Sequence, residues 1–147
     1  MVFLETALGL GSHKHHAYVE AIPVPQSRSS RAPGMFRKAI DEAESEWSTH
    51  ASKRCIDTRA KGLRGSIPAN FPYFHVEFGL AAGFVHVVDD EAKFPRTLGR
   101  DVLVGLLDLP PEEMHRRQRP MRPEEQARAV AAFSKKWEPH DWTRALD

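Results

Sequence analysis

Apolar and polar residues recur with recognisable periods along much of the chain, and these periods predict its elements. Residues 2–6, VFLET, form a short strand candidate ended by Leu8-Gly9-Leu10-Gly11. Residues 16–22 form a second. Successive strand side chains point to opposite faces, so Ala17, Val19 and Ala21 share one face and Tyr18, Glu20 and Ile22 the other. Pro23 and Pro25 stop this strand, since neither has an N–H to donate to a ladder. After the polar stretch 26–31, Pro33 suits the first turn of a helix. Phe36, Ile40, Ala43 and Trp47 then repeat at helical spacing, and the helix is expected to end near Ser48.

Residues 49–70 show no sustained period and read as a connection without secondary structure, a feature often functional when it occurs. The clearest alternation follows. Phe74, Val76 and Phe78 alternate with Tyr73, His75 and Glu77, and a glycine-bounded link, 79–83, leads to the apolar run 84–88. This predicts a β-hairpin. Leu98, Val102, Leu103, Leu106 and Leu107 give an apolar stripe before Pro110 and Pro111. A last helix opens at Pro123 with Ala127, Val130, Ala131, Ser134 and Trp137 on one side, and Pro139 ends it. The order of elements gives the α+β class, with the hairpin and two carboxy-terminal helices in its second part.

Composition changes this picture little. Twenty-one Lys and Arg against 20 Asp and Glu leave a net charge of +1, so any phosphate binding must rest on local clusters. One cysteine, Cys55, permits no internal disulfide and no paired-cysteine zinc site. No apolar run reaches the ~18–20 residues that span a bilayer, and Glu5 interrupts the apolar start, so no signal peptide and no membrane partner is expected. No cofactor is expected either.

The densest local charge is cationic. Lys53, Arg54, Arg59, Lys61 and Arg64 fall within one turn-rich stretch, where Gly62 and Gly65 let a backbone approach closely. They are candidate contacts to RNA or to a partner protein; the plainer alternative is a solvated loop facing acids such as Glu42 and Glu44. His115, Arg116, Arg117, Arg119 and Arg122 make a second cluster, either a nucleic-acid or import signal or a solvated interhelical loop. Among aromatic residues placed to stack on bases, alternation assigns Phe74 to the core and leaves Tyr73. His75, Glu77 and His86 share a polar face only if the hairpin register sets 75 near 86; otherwise they are a hydrogen-bonded sheet surface. The three tryptophans, Trp47, Trp137 and Trp142, read most simply as packing residues.

Several segments together resemble the CwfJ family, whose members carry two adjacent carboxy-terminal domains. They are VFLET, HHAYVEAIPVPQ, AESEWS, DTRAKGLRGSIP, FPYFHVEFG, GFVHVVDDEAKFPRTLGRDVL, LLDLPPEEMHRR and FSKKWEPHDWT. The resemblance implies a nuclear protein of the pre-mRNA-splicing machinery, found with late and intron-lariat spliceosomes. Its implied partners are spliceosomal proteins, RNA and the lariat debranching enzyme. It also implies a first domain with a histidine-triad-like fold, of which this chain holds only the closing part. On that basis residues 1–48 are a remnant of the first domain, 49–65 a basic connecting loop and 66–147 the second domain. A strand at 16–22 deprived of its neighbours is expected to present an unpaired edge and to favour self-association.

The histidine-triad likeness raises an enzymatic alternative, a nucleotide hydrolase or transferase. Such an enzyme needs alternating histidines, because residues two apart project from one strand face toward a phosphate. Setting the pattern against Pro23 puts His16, Tyr18 and Glu20 at the three positions. A phenol of pKa near ~10 replaces poorly an imidazole near ~6.5, and Glu20 opposes an anionic substrate. The other register, His13 and His15, puts Ala17 third and loses the proline spacing. The chain is therefore expected to bind rather than catalyse, with His16 retained as a candidate contact beside the five cations. A zinc site from His13, His15, His16 and Glu20 is not expected, because His15 and His16 point oppositely on a strand.

Overall fold

The computed structural model describes residues 1–11, 18–43, 55–114 and 120–146. The chain divides into two compact units, Met1–His115 and Arg116–Asp147.

The first unit is an α+β structure built on an antiparallel sheet of five strands. In chain order they are β1 (Val2–Ala7), β2 (Val19–Ile22), β3 (Ile56–Asp57), β4 (Tyr73–Phe78) and β5 (Ala82–Val87). Their spatial order is β2-β1-β4-β5-β3. The helices are α1 (Gln26–Ser29), α2 (Ala32–Ala43), α3 (Gly62–Ser66) and α4 (Leu98–Leu106). Strand β1 lies between β2 and β4 and pairs with β4 along its whole length, from Val2↔Phe78 to Ala7↔Tyr73. The segments 1–48 and 66–147, set apart by the family resemblance, thus share one hydrogen-bond ladder.

Alternation decides what each face of the sheet does. Val2 and Leu4 of β1, Phe74 and Val76 of β4 and Phe84 of β5 point the same way and are buried against Phe36 and Ile40 of α2 and Leu98, Leu103 and Leu106 of α4. The i, i+4 spacing of Phe36 and Ile40 puts both on one stripe, and neither retains any exposure. Burying each such side chain contributes roughly 1.5–3 kcal/mol. Phe78 meets Phe36 and Phe84 edge to face, at 5.8 Å and 5.7 Å between ring centres. Helix α4 comes down close on the sheet at Gly99, where a Cβ would stand 2.7 Å from Leu4 Cδ1 and 3.2 Å from Phe74 Cε2.

The end of α4 is pinned from α1. The Arg28 guanidinium donates to the Leu106 carbonyl at 3.1 Å and forms an ion pair with Asp108. A cation at a helix C-terminus meets the negative end of the dipole and satisfies a carbonyl that the helix leaves free. Asp108 itself is left-handed, at φ 51°, and the Leu109 N–H returns to the Val104 carbonyl at 3.0 Å. At the other end of the unit, the Gly9 N–H donates to Glu91 Oε2 at 2.5 Å, fixing the exit of β1 to the approach to α4.

The structure corrects the reading of 49–70. Within it lie β3, which pairs with β5 through Ile56↔Val85 and Asp57↔Phe84, and α3. Two strand residues and five helical ones are too few to display a period, which is why the sequence shows none. The hairpin link is also shorter than read. Ala82 and Gly83 already belong to β5, leaving 79–81 as the turn, with Gly79 at φ 67°. The end of α2 near Trp47 and Ser48 lies outside the described residues.

The second unit contains α5 (Pro123–Trp137) and two short 3₁₀ turns, Glu138–His140 and Trp142–Ala145. Pro123 opens α5, and the Arg122 N–H donates back to Glu125 Oε2 at 3.0 Å. None of the described side chains of α5 is buried. Phe133 and Trp137, one turn apart, stack at 6.2 Å. Trp137 and Trp142 are 45% and 67% exposed. Trp47 lies outside the described residues.

Candidate nucleic-acid interface

The face of the sheet turned away from α2 and α4 carries the polar half of the alternation in β4. Its central strand, β4, presents Tyr73, His75 and Glu77. Strand β1 sets Glu5 opposite His75 and Phe3 opposite Glu77, and β2 sets Val19 opposite Glu5. Helix α3 brings Leu63 over this face, and the hairpin turn brings Leu80. Together Phe3, Leu4, Glu5, Val19, Leu63, His75, Glu77 and Leu80 line a pocket of about 270 Å³. Its walls are largely apolar, and its polar groups are two carboxylates and an imidazole.

The polar groups are not equivalent. The Tyr73 hydroxyl donates to Glu5 Oε1 at 3.0 Å. Partial burial and this bond to a carboxylate push the Tyr73 phenol up to about 12, against a smaller opposing pull from Arg64. The effect of Arg64 places its charge within electrostatic reach of this face. His75 is 8% exposed, and burial holds its pKa below the usual value, outweighing the upward pull of Glu77 and Glu5. It is therefore a neutral imidazole at pH 7, able to donate from one nitrogen and accept at the other. Glu5 is engaged by Tyr73, whereas Glu77 lines the pocket beside His75.

Of the predicted contacts, Arg59, Lys61 and Arg64 are described and all three are exposed. They lie on α3 and the turn leading into it, the element that also carries Leu63 into the pocket. The turn is built locally. The Arg59 N–H donates to Asp57 Oδ1 at 2.8 Å, and the Gly62 N–H to the Thr58 carbonyl at 2.8 Å. Gly62 takes φ 65°, a left-handed conformation that explains a glycine at the helix start. His16, Lys53 and Arg54 lie outside the described residues, as do His13, His15 and residues 115–119.

The structure separates His75 from His86. The register sets Phe74, not His75, opposite His86. His86 therefore joins the helix-covered face, 1% exposed and stacked on Phe94 at 6.0 Å. Phe74 and Phe84 are core, while Phe71 is 49% exposed. Of the triad positions, Tyr18 is 62% exposed and Glu20 stands 3.8 Å from Arg100 of α4. Among the described residues, no three His, Cys, Asp or Glu side chains converge to hold a metal. None of the described helices is long and apolar enough to cross a membrane.

Sequence reasoning found Tyr73, His75 and Glu77 as one face, and Arg59, Lys61 and Arg64 as one cluster. It missed Glu5, Leu63 and Leu80 as their companions, because the β1–β4 pairing joins residues about seventy positions apart.

Residues 46–143 match the family described as "Protein similar to CwfJ C-terminus 2". Nearly the whole chain aligns with longer proteins. It is 40% identical to mouse "CWF19-like protein 2" over 144 residues, which are 98% of this chain and 16% of that protein. It is 39% identical to the Caenorhabditis elegans "CWF19-like protein 2 homolog" over 145 residues, 99% of this chain and 30% of the relative. It is 32% identical to the Schizosaccharomyces pombe "Pre-mRNA-splicing factor cwf19", covering 99% of this chain and 24% of that factor. The chain thus spans less than a third of the length of each of these relatives, and by the match over 46–143 it belongs to the family of proteins similar to CwfJ C-terminus 2.

Proposed function

We propose that this chain is a non-catalytic binding module of a nuclear, spliceosome-associated protein, and that it contacts RNA through the cations of α3 and the turn leading into it. The splicing context comes from likeness to the fission-yeast splicing factor. The observation that carries the binding mode is the exposure of Arg59, Lys61 and Arg64 on α3 and the turn leading into it. Three cations on a rigid turn can meet successive phosphates of a strand without large loss of side-chain freedom. Under the same reading, spliceosomal proteins and the lariat debranching enzyme are partners of the longer protein, and its setting is late and intron-lariat complexes.

Binding without turnover is supported by Tyr18 and Glu20 at two of the three triad positions, with Glu20 facing Arg100. A carboxylate there repels a phosphate that a catalytic histidine would attract. The test is fluorescence anisotropy with a single-stranded RNA at low salt. Lys61→Ala with Arg64→Ala is expected to weaken binding roughly tenfold, while a panel of adenylated and capped nucleotides remains uncleaved. Absence of RNA binding at low salt removes the RNA assignment and leaves a protein partner; cleavage lost on His16→Ala establishes the hydrolase instead.

A further inference from the structure

We infer that the pocket between β1, β4 and α3 accepts a single unpaired guanine base of the RNA held by α3. The inference rests on the RNA-binding reading above and adds to it a site of base selection.

The pocket has the shape and chemistry of a base site. Phe3, Val19, Leu63 and Leu80 supply apolar walls, and 270 Å³ admits a purine but not a folded segment. Its polar lining is dominated by acceptors. Glu77 offers two carboxylate oxygens, and the neighbouring neutral His75 offers one donor and one acceptor. Guanine presents two donors side by side on its Watson–Crick edge, N1–H and N2–H₂, which a carboxylate accepts in parallel. Uracil offers one donor between two carbonyls, and those carbonyls meet the carboxylate unfavourably. Adenine and cytosine each offer only their exocyclic amine to such an acceptor pair.

Charge distribution decides between a nucleotide and a cationic protein side chain. An arginine from a partner also satisfies Glu77, but it has to approach a face that the charge of Arg64 reaches. A nucleotide satisfies both charges, with its base on Glu77 and its phosphate toward Arg64. Leu80 adds to this reading. It is 89% exposed at the tip of the hairpin turn, where it contributes nothing to the core yet walls the pocket.

The experiment compares the affinity of the full chain for rU₈ and for U-rich octamers carrying one central G, A or C. The G octamer is expected to bind roughly tenfold more tightly than rU₈, as a bidentate contact does in base readout. Glu77→Gln and, separately, Leu80→Ala are expected to abolish that preference, read as equal affinity for the G octamer and rU₈. Lys61→Ala is expected to weaken all four octamers by the same factor and leave the preference intact. Leu80→Ala removes only an exposed side chain, so loss of folding cannot account for its effect. Equal binding of all four octamers by the unmodified protein overturns the pocket assignment and leaves the RNA reading standing. No binding to any octamer overturns both. An arginine-rich peptide that binds the unmodified protein and is lost on Glu77→Gln, with no preference among the octamers, assigns the pocket to a cationic protein side chain and overturns the proposal.

Discussion

His75 shows how a single residue ties stability to acidity in this protein. Burial lowers its folded-state pKa below 6.5, while the unfolded chain keeps the ordinary value. Below pH 6.5 the unfolded state therefore binds a proton that the folded state refuses. Stability is full above that value and declines as the pH falls through it. Urea denaturation between pH 7.5 and 5.5 is expected to show this decline, and His75→Gln is expected to flatten it; parallel curves for the two proteins would refute the assignment. Gly83 is a second position where one atom decides. A Cβ there would stand 2.1 Å from the Val76 carbonyl oxygen and 2.9 Å from Glu77 Cα, both backbone. Gly83→Ala is thus expected to cost about 3 kcal/mol by forcing β4 and β5 apart, read as a lower denaturation midpoint. At this scale the sequence is informative about residue type and silent about environment. Alternation marks His75 as facing away from Phe74, but its burial depends on Leu63 and Glu5, which arrive from elsewhere in the chain.

Elements with a full period were legible, and those without were not. The six residues of β4 alternate cleanly, and α2 carries Phe36 and Ile40 one turn apart, so both could be placed from sequence. Strand β3 has two residues and α3 five, so both went unseen inside a stretch known only for its charge. That difference matters for the site, because α3 carries both Leu63 of the pocket and Arg64. The value of α2 to the fold is open to direct measurement. Phe36→Ala removes a fully buried ring that contacts Phe78 and is expected to destabilise by about 3–5 kcal/mol in equilibrium denaturation. Strand β2 carries the opposite expectation. It is the first strand of the sheet order, and Val19 is 58% exposed. An edge of this kind offers unpaired N–H and C=O groups to another chain. Sedimentation is expected to show concentration-dependent self-association that Val19→Lys reduces. A monomer at all concentrations would count against it.

For the whole molecule, the near-neutral net charge conceals a separation of charge by place. Acids Glu5 and Glu77 lie in the pocket, and bases Arg59, Lys61 and Arg64 lie on α3, which carries Leu63 into the pocket, and on the turn leading into it. Composition alone argued neither for nor against RNA; position argues for it. The family was legible from motifs spread along the chain, among them FPYFHVEFG, which holds β4 and the start of the hairpin turn. The pocket was not, because it is assembled by a pairing of β1 with β4 that no local window contains. The most direct test of the central claim is the salt dependence of affinity for single-stranded RNA between 50 and 200 mM, values chosen to span the range where counterion release is strong. The account predicts a linear fall of log K with log salt, and a slope shallower by about 0.7 for each of Lys61→Ala and Arg64→Ala. A slope near zero, or one unchanged by removing these two cations, would contradict it.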